Sequence, residues 1–152
     1  MNQDRFLITI LLAVGMLVVA ALGLFFIRQD ARRYGPEYNP EGVVRNFVIA
    51  IHDEDFERAY SYLKDSPKKP DYQDFRQPFL GARLDTSNVS VRITETNISG
   101  NEAVVNLILT HGGTHPFQGS WRDSGRALLV LEEGNWKLYQ MPYPYWGWDW
   151  YP

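Results

Sequence analysis

The order of apolar and polar positions divides the chain into two parts. Residues 6–27 form an uninterrupted run of 22 residues that contains no charge and a single hydroxyl, on Thr9. As a helix the run would reach about 33 Å, which is enough to cross a hydrocarbon core of about 30 Å. We therefore predict a transmembrane helix over residues 6–27, between a short flank at 1–5 and a polar juxtamembrane linker at 28–40.

The length and the flanks of this run decide how it is interpreted. A cleaved signal peptide is the alternative to a retained anchor, but such peptides contain only roughly 7–15 apolar residues. Arg28, Arg32 and Arg33 follow the run, and positive charge marks the cytoplasmic side of a membrane. The five-residue flank at 1–5 instead resembles that of a bacterial signal anchor. We expect a single-pass cell-membrane protein with its C-terminal domain outside the cytoplasm.

Helical periodicity follows the linker. Residues 40–41 begin one helix, and Asp53 or Asp55 caps a second, shorter helix. Residues 71–80 predict a third helix, which Gly81 would end. The apolar positions of the three helices are Val43, Val44, Phe47, Val48 and Ile51, then Phe56, Ala59, Tyr60 and Leu63, then Tyr72, Phe75 and Phe79.

The second half of the domain changes to the alternating period of strands. Turn residues at 99–101 and 133–135 separate runs in which every second residue is apolar. The predicted strands are 89–94, 103–110, 126–131 and 136–141. Helices followed by strands predict an α+β fold, in which helices pack on a curved antiparallel sheet of about four strands.

Two local patterns in this order resemble a known superfamily. PEGVVRNFVIAIHDEDFERAYSYL at residues 40–63 and LLVLEEGNWKLYQM at 128–141 look like the opening helices and closing hairpin of nuclear transport factor 2-like domains, also called SnoaL-like or cystatin-like cone folds. The resemblance implies a cone, often with a pocket, over residues 41–141, with an aromatic tail at 142–152. Members include isomerases, dehydratases, transport adaptors and domains beside transpeptidases, so it selects no single activity. The arrangement of a single membrane anchor followed by a domain of this fold also resembles the periplasmic inner-membrane scaffold subunit of type IV secretion systems.

Composition removes several classes of function. The chain has no cysteine, which excludes disulfides and thiolate metal sites. Its 15 Lys and Arg against 18 Asp and Glu give a formal charge of −3, which argues against nucleic-acid binding. We expect no cofactor and no metal. The expected partners are the lipid bilayer and either a protein or a small apolar ligand.

Few residues are candidates for acid–base or metal chemistry. Asp74 and His111 are the weak candidates for a general base in the cone, because such a base must be tuned by burial. Asp53 and Asp55 are better explained as helix caps, and His52 is expected to face solvent. His111 and His115, with Asp123 as a third ligand, could bind a metal, but the glycines between the histidines favour an ordinary loop.

Aromatic residues are the stronger candidates for binding. Phe117 and Trp121 lie in a glycine-rich loop where they would line or plug the mouth of the cone. The tail PYPYWGWDWYP carries Trp146, Trp148 and Trp150. We expect these rings to pack on the domain's own helices, with membrane-interface anchoring and stacking on a sugar or a proline-recognising partner as alternatives.

The sequence therefore favours a membrane-anchored, extracytoplasmic, non-catalytic binding or scaffold module. Two alternatives stay open. One is an isomerase, dehydratase or hydrolase that acts on a small molecule through a pocket aspartate or histidine. The other is a single-pass subunit of an envelope or secretion assembly.

Overall fold

The computed structural model describes residues 2–31, 33–113 and 119–151, which fall into two units, Met1–Arg33 and Tyr34–Pro152. Helix α1, Asn2–Ala31, forms the first unit, and the side chains described within it are those of residue 8 and residues 10–23. Residues 28–31, expected in the linker, are therefore helical. Within the described residues, no helix reaches the combination of length and hydropathy that a membrane crossing requires.

Helix α2, Pro40–His52, opens the second unit, as the apolar stripe predicted. Asn39 is its N-cap, and the Asn39 side chain accepts a hydrogen bond from the Gly42 N–H at 2.7 Å. Pro40 takes the first helical position, where its missing N–H costs nothing. The buried face of the helix includes Phe47.

Two shorter helices follow, and each has an aspartate cap. Helix α3, Phe56–Ser61, is capped by Asp55, which accepts from the Arg58 N–H at 3.2 Å. Helix α4, Tyr72–Leu80, is capped by Asp71 and followed by Gly81 as its C-cap. Of the two aspartates considered as caps for the second helix, Asp55 holds that position.

The four strands form one antiparallel sheet in the order β1-β2-β3-β4. Their bounds are Val89–Ser99, Glu102–His111, Trp121–Glu132 and Asn135–Gln140. The register shifts between Ile93 and Glu95 and again between Leu128 and Leu129. Such bulges bend the strand that carries them and increase its twist, which curves the sheet. The predicted α+β fold with a curved four-stranded sheet is confirmed.

The start of β3 differs from the prediction. The strand begins at Trp121 and not at Arg126, because residues 121–125 continue the ladder with β2 as far as the pair Trp121↔His111. These residues are mostly polar and include Gly125, so the sequence pattern there is typical of a loop. Pairing along the full length of β2 outweighs that local pattern.

Helices and sheet enclose one apolar core. The inner face of the sheet contributes alternate residues, which pack against the helices and against residues of the C-terminal tail. The fully or almost fully buried members include Phe47, Phe75, Val105, Leu107, Leu109, Leu129, Leu138 and Tyr145. The Lys64 N–H donates to the Leu138 carbonyl at 2.7 Å, and the Leu138 N–H donates to the Tyr62 carbonyl at 2.8 Å. These two backbone hydrogen bonds cover the edge of β4.

The segment before α2 is fixed to the domain by polar contacts. The buried Asn46 side chain accepts from the Gly35 N–H at 2.7 Å and donates to the Gly35 carbonyl at 2.9 Å. Glu37 accepts from the Tyr62 hydroxyl at 2.7 Å and from Arg58 at 3.0 Å. The hydrogen bond from Tyr62 holds the pKa of Glu37 below its ordinary value.

Gly42 gives a test of this attachment. A methyl group at residue 42 would lie 1.7 Å from the Pro36 carbonyl oxygen. Ala normally stabilises a helix by about 1 kcal/mol relative to Gly. Here we expect Gly42→Ala to lower the free energy of unfolding by about 1–3 kcal/mol, because backbone atoms must move apart. Urea denaturation measures the change.

Arg45→Ala, at an exposed position of the same helix, is the matched control and should stay within about 0.5 kcal/mol of the parent. An increase in stability for Gly42→Ala would contradict the close approach of Pro36 to the helix.

Candidate functional site

The C-terminal tail turns back across the domain after β4. Pro142 packs on Gly125, where an added Cβ would lie 2.7 Å from the Pro142 Cβ. The Tyr145 N–H then donates to the Pro142 carbonyl at 3.0 Å, which turns the chain inward. The peptide bond between Tyr143 and Pro144 is cis. Close packing on Gly125 therefore sets the direction of the tail.

Tyr145 is fully buried and fixes the first part of the tail. Its hydroxyl donates to the Val89 carbonyl at 3.1 Å and lies 2.8 Å from His52 Nε2. Because the Tyr145 hydroxyl donates its proton to the Val89 carbonyl, it must accept in the hydrogen bond with His52. His52 Nε2 is therefore the protonated donor of that bond. Burial raises the pKa of Tyr145, so its hydroxyl remains neutral. His52 is exposed, as expected, but it has this structural role.

Trp146 and Trp150 extend the core between the helices and the sheet. The ring centroids of Trp146 and Phe47 lie 6.3 Å apart, and those of Trp150 and Phe75 lie 5.2 Å apart. The two indoles meet edge to face at 5.2 Å. Each residue is only 6% exposed. The expected packing of the tail on the domain's own helices is confirmed for these two rings.

Gly147 makes this arrangement sterically feasible. A Cβ at residue 147 would lie 2.6 Å from the Trp150 ring. The indole of Trp150 therefore lies directly on the backbone of the tail. A larger residue at 147 would displace that ring, which also contacts Phe75 and Phe79 at centroid distances of 5.2 and 6.2 Å.

Trp148 points the other way and is 91% exposed, the largest exposure among the large apolar side chains that the structure describes. It lines a groove of about 480 Å³, together with Tyr143, which is 68% exposed. We call this the aromatic groove, and its further lining includes Arg83, Tyr139, Trp146 and Trp150. Two exposed rings thus stand beside two that are fixed in the core.

The polar groups of the aromatic groove include donors and acceptors, among them the amide of Gln140 and the hydroxyls of Tyr139, Tyr143 and Tyr151. The indole Nε1 of Trp146 is buried and has no hydrogen-bond partner. Arg83 adds a guanidinium, which can only donate. Within the described residues, no carboxylate lines the groove. Its surface therefore combines apolar rings with groups that donate and accept hydrogen bonds.

Asp74 lies in a different, polar groove of about 660 Å³ beside α4. Lys68, Arg83 and Asp149 also line it, so it carries charges of both signs. Asp74 is exposed on the first turn of the helix. The structure therefore places Asp74 at the surface of the domain and not in its core.

His111 is the last residue of β2, and its side chain is 13% exposed and follows the inward alternation of Leu107 and Leu109. Its ring stacks on Trp121 with centroids 3.7 Å apart and planes at 2°. His111 Nε2 lies 3.5 Å from an Asp123 carboxylate oxygen, but it makes no hydrogen bond. His115 and Phe117 lie outside the described residues. Among the residues that are described, no three ligand side chains group to hold a metal.

The interior of the domain holds no acid–base pair in the part that the structure describes. Asn46 is the single buried polar residue there, and both of its polar atoms bind the Gly35 backbone. Asp74 lies at the surface, and His111 lies at the end of β2 beside Trp121.

Comparisons with known proteins inform the fold. No family model and no curated protein matches the chain. A SEC-C motif-containing protein from Rhodopseudomonas palustris is similar in structure at 14% identity and a TM-score of 0.51, over 70% of this chain and 79% of that protein. At this identity the likeness shows the fold alone.

Two further solved structures are similar at lower scores. An NTF2-like protein of Campylobacter jejuni assigned as a transpeptidase matches at 18% identity and a TM-score of 0.47, over 66% of this chain and 96% of that one. A cystatin-like fold protein of unknown function from Nostoc punctiforme matches at 18% identity and a TM-score of 0.46, over 63% of this chain and 80% of that one. The structural neighbours thus include proteins described as NTF2-like and as having a cystatin-like fold.

Sequence reasoning pointed to the three tail tryptophans but not to the groove that they border. Arg83 follows α4, and Tyr139 belongs to β4, so their proximity to the tail depends on tertiary folding. Tyr143 lies in the tail itself, where its proline neighbours gave no sign that it would face solvent. The sequence offers no local pattern that marks Arg83.

The tail tryptophans allow a direct comparison of stability. We expect Trp150→Ala to lower the free energy of unfolding by about 3–5 kcal/mol, because it leaves a cavity beside Phe75. Trp148→Ala should change it by no more than about 0.5 kcal/mol, because the side chain is exposed. Thermal or urea denaturation of both variants measures the difference. Equal losses would mean that the two rings do not differ in burial.

Proposed function

We propose that the protein is a membrane-anchored, non-catalytic binding module whose aromatic groove holds its ligand or partner. The observation that carries this proposal is the exposed indole of Trp148 beside the fixed rings of Trp146 and Trp150. A large aromatic side chain held in water offers apolar area that binding can bury. Aromatic anchors of this kind dominate the energy of many interfaces.

Core residues pack beneath the aromatic groove and hold its shape, which favours binding. Its floor belongs to the core, where Trp150 packs on Phe75 and Phe79. A preorganised surface loses less conformational entropy when a ligand binds. Trp148 contributes little to the fold because it is exposed, so its ring is available for contact with another molecule.

The anchor in this proposal is the uncharged run at residues 6–27. Helix α1 contains this run and, with 30 residues, extends about 45 Å. Large apolar side chains described along it are exposed, which is unfavourable in water and favourable in lipid. They are Ile8, Ile10, Leu11, Leu12, Val14, Met16, Leu17, Val18, Val19 and Leu22.

The location outside the cytoplasm belongs to the same proposal. It rests on the short N-terminal flank of residues 1–5, which resembles that of a bacterial signal anchor. The arginines at 28, 32 and 33 favour the opposite orientation by the positive-inside rule. An experiment must therefore separate the two orientations.

A fusion of alkaline phosphatase after Pro152, which needs export to be active, tests anchor and orientation together in a bacterial host. We expect activity in the membrane fraction. The double variant Val14→Arg, Leu17→Arg should abolish it, because each arginine at a helix centre costs about 2.5–3.5 kcal/mol of insertion free energy. Val14→Leu, Leu17→Ile is the matched control and should retain activity.

Activity of only a cytoplasm-dependent reporter at the same position would reverse the orientation. Extraction of the parent fusion by alkaline carbonate would overturn the anchor.

The binding site can be tested with the full chain in phosphatidylcholine nanodiscs. The five tryptophans give five indole Nε1–H signals in a nitrogen–proton NMR spectrum. We expect a ligand of the aromatic groove to shift the signals of Trp146, Trp148 and Trp150. Trp121 and Trp136 lie outside the groove and act as internal controls.

The probes are a decaproline peptide, cellohexaose and the apolar dye 1-naphthol, each titrated separately. Shifts confined to the three groove signals support the proposal. Shifts of the Trp121 or Trp136 signals alone, or no shift with any probe, would contradict it.

A further inference from the structure

We propose that the ligand of the aromatic groove is a small apolar molecule with one carboxylate group, and that Arg83 binds this carboxylate. The inference rests on the proposed function, because it names the class of ligand for the same groove. It is carried by charge complementarity, since one guanidinium lies among aromatic rings and uncharged polar groups.

The first observation is the charge of the groove. Arg83 is the single charged residue among the described residues that line it. Arg83 is exposed, and none of the ion pairs between described residues involves it. A guanidinium stays protonated at physiological pH. The groove therefore presents one positive charge that no described carboxylate contacts.

The second observation is that the backbone on both sides of Arg83 is fixed by the turn that follows α4. The Ala82 N–H donates to the Phe79 carbonyl at 3.3 Å, and the Leu84 N–H donates to the Pro78 carbonyl at 3.0 Å. Leu84 is buried in the core. The backbone of Arg83 is thus held beside the groove before binding, which reduces the entropy lost when a ligand binds.

The third observation is the apolar area beside this charge. Trp148 and Tyr143 are exposed, and both line the groove with Arg83. An apolar body that packs on these rings removes their surface from water. A ligand without a charge would leave the guanidinium unpaired, and a ligand without an apolar body would leave the rings in water. A molecule that has both parts uses the whole groove.

A single guanidinium matches a single carboxylate in charge and in shape. Its planar fork can donate two parallel hydrogen bonds to the two carboxylate oxygens. A phosphate monoester carries a charge of about −1.5 to −2 near pH 7, which exceeds the one positive charge available. Asp74 and Asp149 line the polar groove beside α4, which Arg83 also borders, and they repel an anion on that side. The carboxylate is therefore expected on the side of the aromatic groove.

Three probes with the same naphthalene ring separate charge from apolar contact: 1-naphthoate, neutral 1-naphthamide and 1-naphthylmethylammonium. Each is titrated into the full chain in phosphatidylcholine nanodiscs while the indole signals of Trp146, Trp148 and Trp150 are followed. We expect saturable shifts, with an affinity for 1-naphthoate about three- to tenfold higher than for 1-naphthamide and the lowest affinity for the cation. Added salt should reduce this difference, because it screens the charge pair. Acetate alone should cause no saturable shift, because it has no apolar body.

Variants locate the charge. Arg83→Gln should lower the affinity for 1-naphthoate to that for 1-naphthamide, without a change in melting temperature. Arg92→Gln removes the same charge from another exposed arginine, which does not line the groove, and should leave both affinities unchanged. Trp148→Ala should weaken binding of both probes, because both use the ring contact. All variants are compared in the same lipid, so partitioning of a probe into the nanodisc does not affect the comparison.

The outcomes separate this inference from the proposed function. Equal affinities of the parent for 1-naphthoate and 1-naphthamide, or a preference for 1-naphthoate that survives Arg83→Gln, would overturn the carboxylate and keep the groove as a binding site. Tightest binding of the ammonium probe would do the same. Shifts on exchange into phosphatidylglycerol nanodiscs, without binding of 1-naphthoate, would overturn the inference and assign the groove to the membrane surface. No shift with any probe, 1-naphthol included, would overturn both proposals.

Discussion

The domain depends on one packing constraint: the inner face of a curved four-stranded sheet must be covered, and its helices are too few and too short to cover it. Helix α3 has only six residues and α4 only nine. The C-terminal tail supplies the remaining cover by placing Trp146 and Trp150 against Phe47 and Phe75. Fully burying an aromatic side chain stabilises a fold by roughly 1.5–3 kcal/mol, so these two rings matter as much as a short helix.

The same constraint explains why a third tryptophan is exposed. Trp146, Trp148 and Trp150 are two residues apart, with Gly147 and Asp149 between them. Gly147 allows the ring of Trp150 to lie on the tail backbone, so both flanking indoles turn inward. The segment between them is then held outward, with Trp148 at its tip. Buried and exposed positions thus belong to different rings of one short segment, which lets mutations separate stability from the proposed binding.

The sequence was informative about elements and less informative about how distant elements meet. Apolar periodicity predicted α2 and all four strands because those patterns report burial on one face. It missed the first residues of β3, where Gly125 and polar neighbours are held in the ladder by β2 and by the packing of Pro142. The aromatic density of the tail indicated burial, but the groove needs Arg83 and Tyr139 from other elements. Such proximity depends on tertiary folding, and a pattern along the chain does not contain it.

A filled interior also bears on the kind of function that this domain can have. A general base inside a cone must be desolvated next to space for a substrate. Here aromatic rings of the tail occupy part of that interior, and Asn46, the buried polar residue among those described, is committed to the backbone of Gly35. Replacing any of these rings with an ionisable group would bury a charge without a partner and destabilise the domain. The tail that completes the core therefore fills part of the interior and leaves exposed aromatic faces at the surface, which is where the proposed recognition takes place.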